Sequence, residues 1–68
     1  MAAMDEAELD TLPKIGAPAT RALHGAGYTS LRQLAGVARA DLAKLHGMGP
    51  KALGILTEAL QRHGLSLN

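Results

Sequence analysis

The chain has no cysteine, no tryptophan and no phenylalanine, and Tyr28 is its single aromatic residue. Without cysteine, disulfides and thiolate metal sites are excluded. Without an aromatic platform, capture of single-stranded nucleic acid by base stacking is disfavoured. Strand formers are equally scarce: Val37, Ile15 and Ile55 are the only valine or isoleucine residues, which argues against a sheet. No apolar run approaches the roughly 20 residues of a membrane span, because His, Gly or Lys interrupts each one. The opening MAAMDEAELD is acidic and lacks the basic and apolar regions of a secretory signal. The expectation is a reducing, cytoplasmic setting with no membrane contact.

What is present is alanine, leucine and glycine in a chain of 68 residues, room for one small domain. The formal net charge of +1 hides an uneven distribution. Asp5, Glu6, Glu8 and Asp10 crowd the first ten positions. From residue 11 onward seven Lys/Arg face only Asp41 and Glu58, a net of +5. Residues 1–6 read as a flexible acidic leader and residues 7–68 as a mildly basic domain, a balance compatible with a polyanionic partner.

Ala52, Ile55, Leu56, Ala59 and Leu60 follow the spacing of one buried helical stripe over residues 50–63. Pro50 suits its first position and Gly64 its stop. Glu58 and Arg62 are placed for an i,i+4 ion pair on its wet face. A second helix starts at Pro18, with Ala19, Ala22, Leu23 and Ala26 as its stripe and Gly25 and Gly27 ending it. Thr29 or Ser30 caps a short helix, the stretch Ser30-Leu31-Arg32-Gln33 matching a capping box. Another short helix runs from about Arg39 to Lys44, and residues 6–11 form a frayed turn. The expected fold is all-α, with four to five short helices.

Shifting the chain by 33 residues superposes Ala7, Leu9, Leu12, Gly16, Ala19, Leu23 and Ala26 on Ala40, Leu42, Leu45, Gly49, Ala52, Leu56 and Ala59. Glu8 falls on Asp41 and Ile15 on Met48. Each unit reads as helix, tight turn, helix, and two such units would pack about a pseudo-twofold axis.

The turns are Leu12-Pro13-Lys14-Ile15-Gly16 and Leu45-His46-Gly47-Met48-Gly49-Pro50-Lys51-Ala52. They resemble the hairpins of tandem helix-hairpin-helix (SAM-like) domains, the second keeping the Gly-apolar-Gly pattern and the first carrying Lys14 in place of the first glycine. Over residues 7–67 the arrangement is similar to the C-terminal domain of the bacterial RNA polymerase alpha subunit, including the ending Gly64-Leu65-Ser66-Leu67. The resemblance implies contact with double-stranded DNA across the minor groove, through backbone phosphates that position without specifying sequence. Gly49 and Lys51 match DNA-contacting positions of that domain. Ala52 stands where it has a serine contact, and Pro18 where it has its main minor-groove arginine. Arg21, one turn later, and Lys14 are the cations placed to compensate.

The chemistry of the turn agrees with this reading. A helix N-terminus carries unpaired N–H groups and about half a positive charge, and glycine lets an anion approach the main chain. Lys51 in a first turn opposes the macrodipole, costing roughly 0.3–1 kcal/mol when exposed, a placement that makes sense with an anion between them. The plain alternative is that Lys51 extends into solvent and the glycines only turn the chain. A nucleotide loop is excluded: Gly47-Met48-Gly49 lacks a third glycine, a preceding strand and a Gly-Lys-Ser/Thr.

His24, His46 and His63 are too scattered for a metal-ligand pattern and read as surface or capping residues, although a protonated His46 would add phosphate affinity. Tyr28 reads as a partly buried core residue. No catalytic constellation is legible. The expectation is therefore a monomeric, non-catalytic, cofactor-free double-stranded DNA-binding module using Lys14, Gly16, Arg21, Gly47, Gly49 and Lys51, with modest affinity on the order of 10⁻⁴–10⁻⁶ M at physiological salt. The alternative is a protein-interaction module of the same fold, which would expose apolar side chains around Leu31, Leu34 and Leu65.

Overall fold

The computed structural model describes residues 6–68, and every regular element among them is helical. The elements are α1 (Glu6–Asp10), α2 (Ala17–Gly25), a 3₁₀ turn (Leu31–Leu34), α3 (Arg39–Ala43) and α4 (Pro50–Arg62). The starts of α1 and α3, and those of α2 and α4, are each 33 residues apart, so the sequence repeat is also a repeat of structure. The expected leader falls largely on residues 1–5, outside the described residues.

Both long helices end in the same way. Gly27 after α2 and Gly64 after α4 take positive φ, 94° and 72°. The N–H groups of Gly27 and Tyr28 bond the carbonyls of His24 and Leu23, and those of Gly64 and Leu65 bond Gln61 and Leu60. This is the Schellman arrangement, which satisfies the last carbonyls and folds an apolar residue back onto the helix. Here the returning residues are Tyr28 and Leu65, both half-buried against the core. α2 begins at Ala17, one residue before the expected start, with Pro18 in its first turn, where no N–H is needed.

The capping box forms, but on a 3₁₀ turn. Gln33 Oε1 accepts the N–H groups of Thr29 at 2.7 Å and Ser30 at 3.2 Å. With three residues per turn, Leu31 and Leu34 share one face, and both are fully buried. They join Leu23, Leu42, Leu56, Ala59 and Leu60 in one core. Within the predicted stripes Ile55 and Ala22 are only half-buried and Ala26 is exposed.

The last residues run beside the segment that enters α3. Gly36 N–H bonds Ser66 O at 2.9 Å, Asn68 N–H bonds Val37 O at 2.9 Å, and Arg39 N–H bonds Asn68 O at 3.0 Å. α1 is held to the far end of α4. Glu8 accepts hydrogen bonds from Arg62 and from His63 Nε2, the latter at 2.6 Å, while Asp10 pairs with Arg32 at 3.1 Å. Two expectations are corrected here. Arg62 bonds Glu8 across the fold rather than Glu58 along its own helix, because the clasp brings a carboxylate onto it from α1. His63 is the C-cap of α4, as the capping reading allowed, but not a surface residue: its side chain is 4% exposed, and its Nδ1 is buried without a partner.

Candidate nucleic-acid interface

The two hairpins meet at the start of α2. Gly47 takes φ 94°, and a Cβ there would lie 2.7 Å from the carbonyl oxygen of Pro18 and 3.3 Å from its Cβ. Real side chains do not approach a backbone oxygen so closely, so only glycine lets the second hairpin seat on α2. Pro18 is thus part of the joint between the units. An open cleft of about 430 Å³ lies there, lined by Pro18, Arg21, Ala22, His46 and Gly47.

Gly49 is unlike Gly47. Its φ of −111° and ψ of 173° are extended values open to any residue, and a Cβ would meet nothing within 4 Å. In the first hairpin the positive φ belongs to Gly16, at 92°, while Lys14, the repeat equivalent of Gly47, has none. The hairpins are therefore related in position but not in backbone conformation.

Neither α2 nor α4 has a side-chain N-cap; Gly16 and Gly49 occupy those places. The first internal bonds run from Thr20 N–H to Gly16 O and from Leu53 N–H to Gly49 O, both 3.0 Å. Among the described residues no acceptor meets the N–H groups of Lys51 and Ala52, nor those of Ala17 and Ala19. In a helix such groups point out of the N-terminal end and carry its partial positive charge. Where most helices place a Ser, Thr, Asp or Asn oxygen, both ends here are left open.

Charge is sorted along α4. Two of the acidic side chains, Glu8 and Asp10, are engaged with Arg62, His63 and Arg32. The hydrogen bond from Arg62, and next that from His63, hold the Glu8 carboxyl below its ordinary value, and Glu8 in turn raises Arg62. Arg39 donates to Thr57 Oγ1 at 3.4 Å. The cations with no ion pair among the described residues are Lys14, Arg21, Arg39, Lys44 and Lys51, all exposed. Eleven residues along α4 separate Lys51 from Arg62, about 16 Å at helical rise, so the neutralised end and the open end are far apart.

The joint thus brings Arg21 and Gly47 to one cleft, while Gly49 and Lys51 form the adjacent helix start and Lys14 and Gly16 the other hairpin. Lys44 was missed by the sequence reading, since a lysine at a helix end signals only a favourable dipole contact. The association of His46 with Arg21 was missed because the two are 25 positions apart in the sequence. The apolar surface expected for protein docking is not found: Leu31 and Leu34 are fully buried, and Leu65 packs on the core. Among the described residues no cluster of three His, Asp or Glu side chains could hold a metal, and no helix is long and apolar enough to cross a membrane.

Comparison with known proteins agrees with this architecture. The family model for SAM-like helix-hairpin-helix tandem domains matches residues 6–62, which spans all four α-helices. No curated protein and no solved structure matches the chain.

Proposed function

Because the chain belongs to the SAM-like helix-hairpin-helix tandem family, whose members bind DNA or mediate protein interactions, we propose that it is a non-catalytic module that binds double-stranded DNA largely without regard to sequence. The observation that carries this reading is the uncapped start of α4. Free N–H groups of Lys51 and Ala52 stand behind Gly49, which no fold requirement obliges to be glycine. A missing side chain at that point leaves room for a phosphate oxygen to reach the main chain. Lys51 then contributes charge from the same turn, and the start of α2 offers a second, similar end with Lys14 beside it. Two such ends can each hold a phosphate of the duplex, which positions the protein without reading bases.

The segregation of charge supports the same conclusion, since the cations left unpaired include Lys14, Arg21 and Lys51. The resemblance to the RNA polymerase alpha C-terminal domain supports the choice of duplex DNA, with the minor groove as its approach. Fluorescence anisotropy of a labelled duplex at 50 and 200 mM salt tests the proposal. Binding should weaken steeply with salt, and Lys51→Ala should weaken it further and flatten the log–log salt slope by about 1. No binding at low salt, or an unchanged affinity for Lys51→Ala, overturns it.

A further inference from the structure

The cleft between the units has a composition that the hairpin chemistry alone does not require. Arg21 reaches it from α2 and His46 from the second hairpin, and the remaining lining residues, Pro18, Ala22 and Gly47, carry no charge. No carboxylate lines it; Glu8 is engaged with Arg62 and His63 at the other end of α4, and Asp10 with Arg32 on the 3₁₀ turn. Arg21 makes no ion pair among the described residues, and neither do Lys44 and Lys51, the charged neighbours of His46 within its own hairpin. The repeat shows that this pairing belongs to one side only: Arg21 corresponds to Gly54 in α4, and His46 to Pro13 in the first hairpin. The symmetry-related position therefore has neither group.

We propose that this cleft is a phosphodiester seat in which Arg21 and His46 flank one backbone phosphate of the bound strand, and that His46 makes the grip stronger in acid. The inference rests on the DNA-binding reading above and deepens it. The phosphate held here is distinct from the ones held at the helix starts, because its donors are side chains from both units. Guanidinium is always charged and its planar fork suits a phosphate. Imidazole changes charge in the physiological range, so protonation adds one cationic contact to a site that Arg21 occupies at every pH. The cleft's volume of about 430 Å³ exceeds what a phosphate alone needs and accommodates the adjoining sugar of a continuous strand.

The test is binding of a labelled duplex to the full chain at pH 5.8 and pH 8, each over a salt series. The wild type should bind roughly three- to tenfold tighter at pH 5.8, with a log–log salt slope steeper by about 0.9. His46→Gln should lose the pH response, whereas His24→Gln should keep both the affinity and the pH response. Arg21→Ala should weaken binding at both pH values.

A pH response that survives His46→Gln, or that disappears with His24→Gln, overturns the inference and leaves the DNA-binding reading in place. Absence of duplex binding at either pH overturns both. Two-dimensional NMR separates the sources of phosphate. Shifts at Arg21, Ala22 and Gly47 with duplex, and none with millimolar inorganic phosphate, support a polynucleotide seat. Saturation by inorganic phosphate alone overturns it.

Discussion

In the second hairpin the residue at positive φ is Gly47, where a Cβ would collide with the Pro18 carbonyl; in the first it is Gly16, two positions later in repeat register, where a Cβ would make only ordinary contact with the Pro18 ring. Two equivalent pairs of helices, α1 with α2 and α3 with α4, are thus joined by different backbone paths. Their cations differ in the same manner. Lys51 sits in the first turn of α4 where α2 has Pro18, and Arg21 sits one turn inside α2 where α4 has Gly54. The repeated scaffold has kept its core and its open helix ends while redistributing turns and charges, so helix packing and surface charge are separable properties of this fold.

The core should show the repeat most strongly. Leu23 and Leu56 are equivalent and both fully buried. Leu23→Ala and Leu56→Ala should each destabilise the domain by about 2–5 kcal/mol in urea unfolding. That is a large share of the stability available to a chain of this size. Comparable losses bear out a shared core; a loss confined to one of them would show that the units are unequal partners.

The glycines come next. Gly47→Ala combines an unfavourable φ with a backbone collision and should cost roughly 2–3 kcal/mol. Gly49→Ala should leave stability within about 0.5 kcal/mol yet weaken duplex binding several-fold, by covering the N–H groups of the first turn. If Gly49→Ala binds DNA as the wild type does, the start of α4 is not the phosphate site.

Acid should loosen the clasp between α1 and α4. The Glu8 carboxyl is held below its ordinary value by Arg62 and then His63, so the stability it contributes is present above the unfolded-state value near 4.5. That stability is lost as pH falls through the lower folded value. Glu8→Gln should therefore lower the Tm at pH 7 and have a shrinking effect below about pH 4. A Tm difference that stays constant from pH 7 to pH 3 would show that the carboxylate charge is not what matters.

The smallest effect is expected on α4. Gly54 lies within the helix with open space where a Cβ would go. Gly54→Ala should stabilise the domain by about 0.5–1 kcal/mol with duplex affinity unchanged.

Much of this was legible in advance, for identifiable reasons. Pro50, Gly27 and Gly64 announce helix boundaries through single-residue constraints on φ and on the N–H group, and they stand where the structure uses them. Ser30 and Gln33 likewise announce their cap, although not that the turn would be 3₁₀. The repeat placed both hairpins correctly. What local pattern could not supply was anything set by tertiary approach. The partner of Arg62 is Glu8 rather than Glu58, His63 is covered by α1, and Arg21 and His46 share a cleft. Gly49 is the subtler case. Its neighbours make positive φ plausible, and only the backbone itself shows that Gly47 carries that conformation alone in its hairpin.

The clasp formed by Glu8 with Arg62 and His63 joins residues 54 and 55 positions apart. Such a contact has to wait for the chain between its ends to close a long loop, a step that slows folding more than it alters final stability. On the ribosome, where synthesis runs from the N-terminus, α1 is made first and its anchor in this domain is made among the last residues. The first unit can build its turns early and rest α1 on the 3₁₀ turn through Asp10 and Arg32, but the Glu8 clasp cannot close until the second unit is nearly complete. The two units visible in the sequence are therefore tied together by a contact that runs from the first helix of one to the last helix of the other.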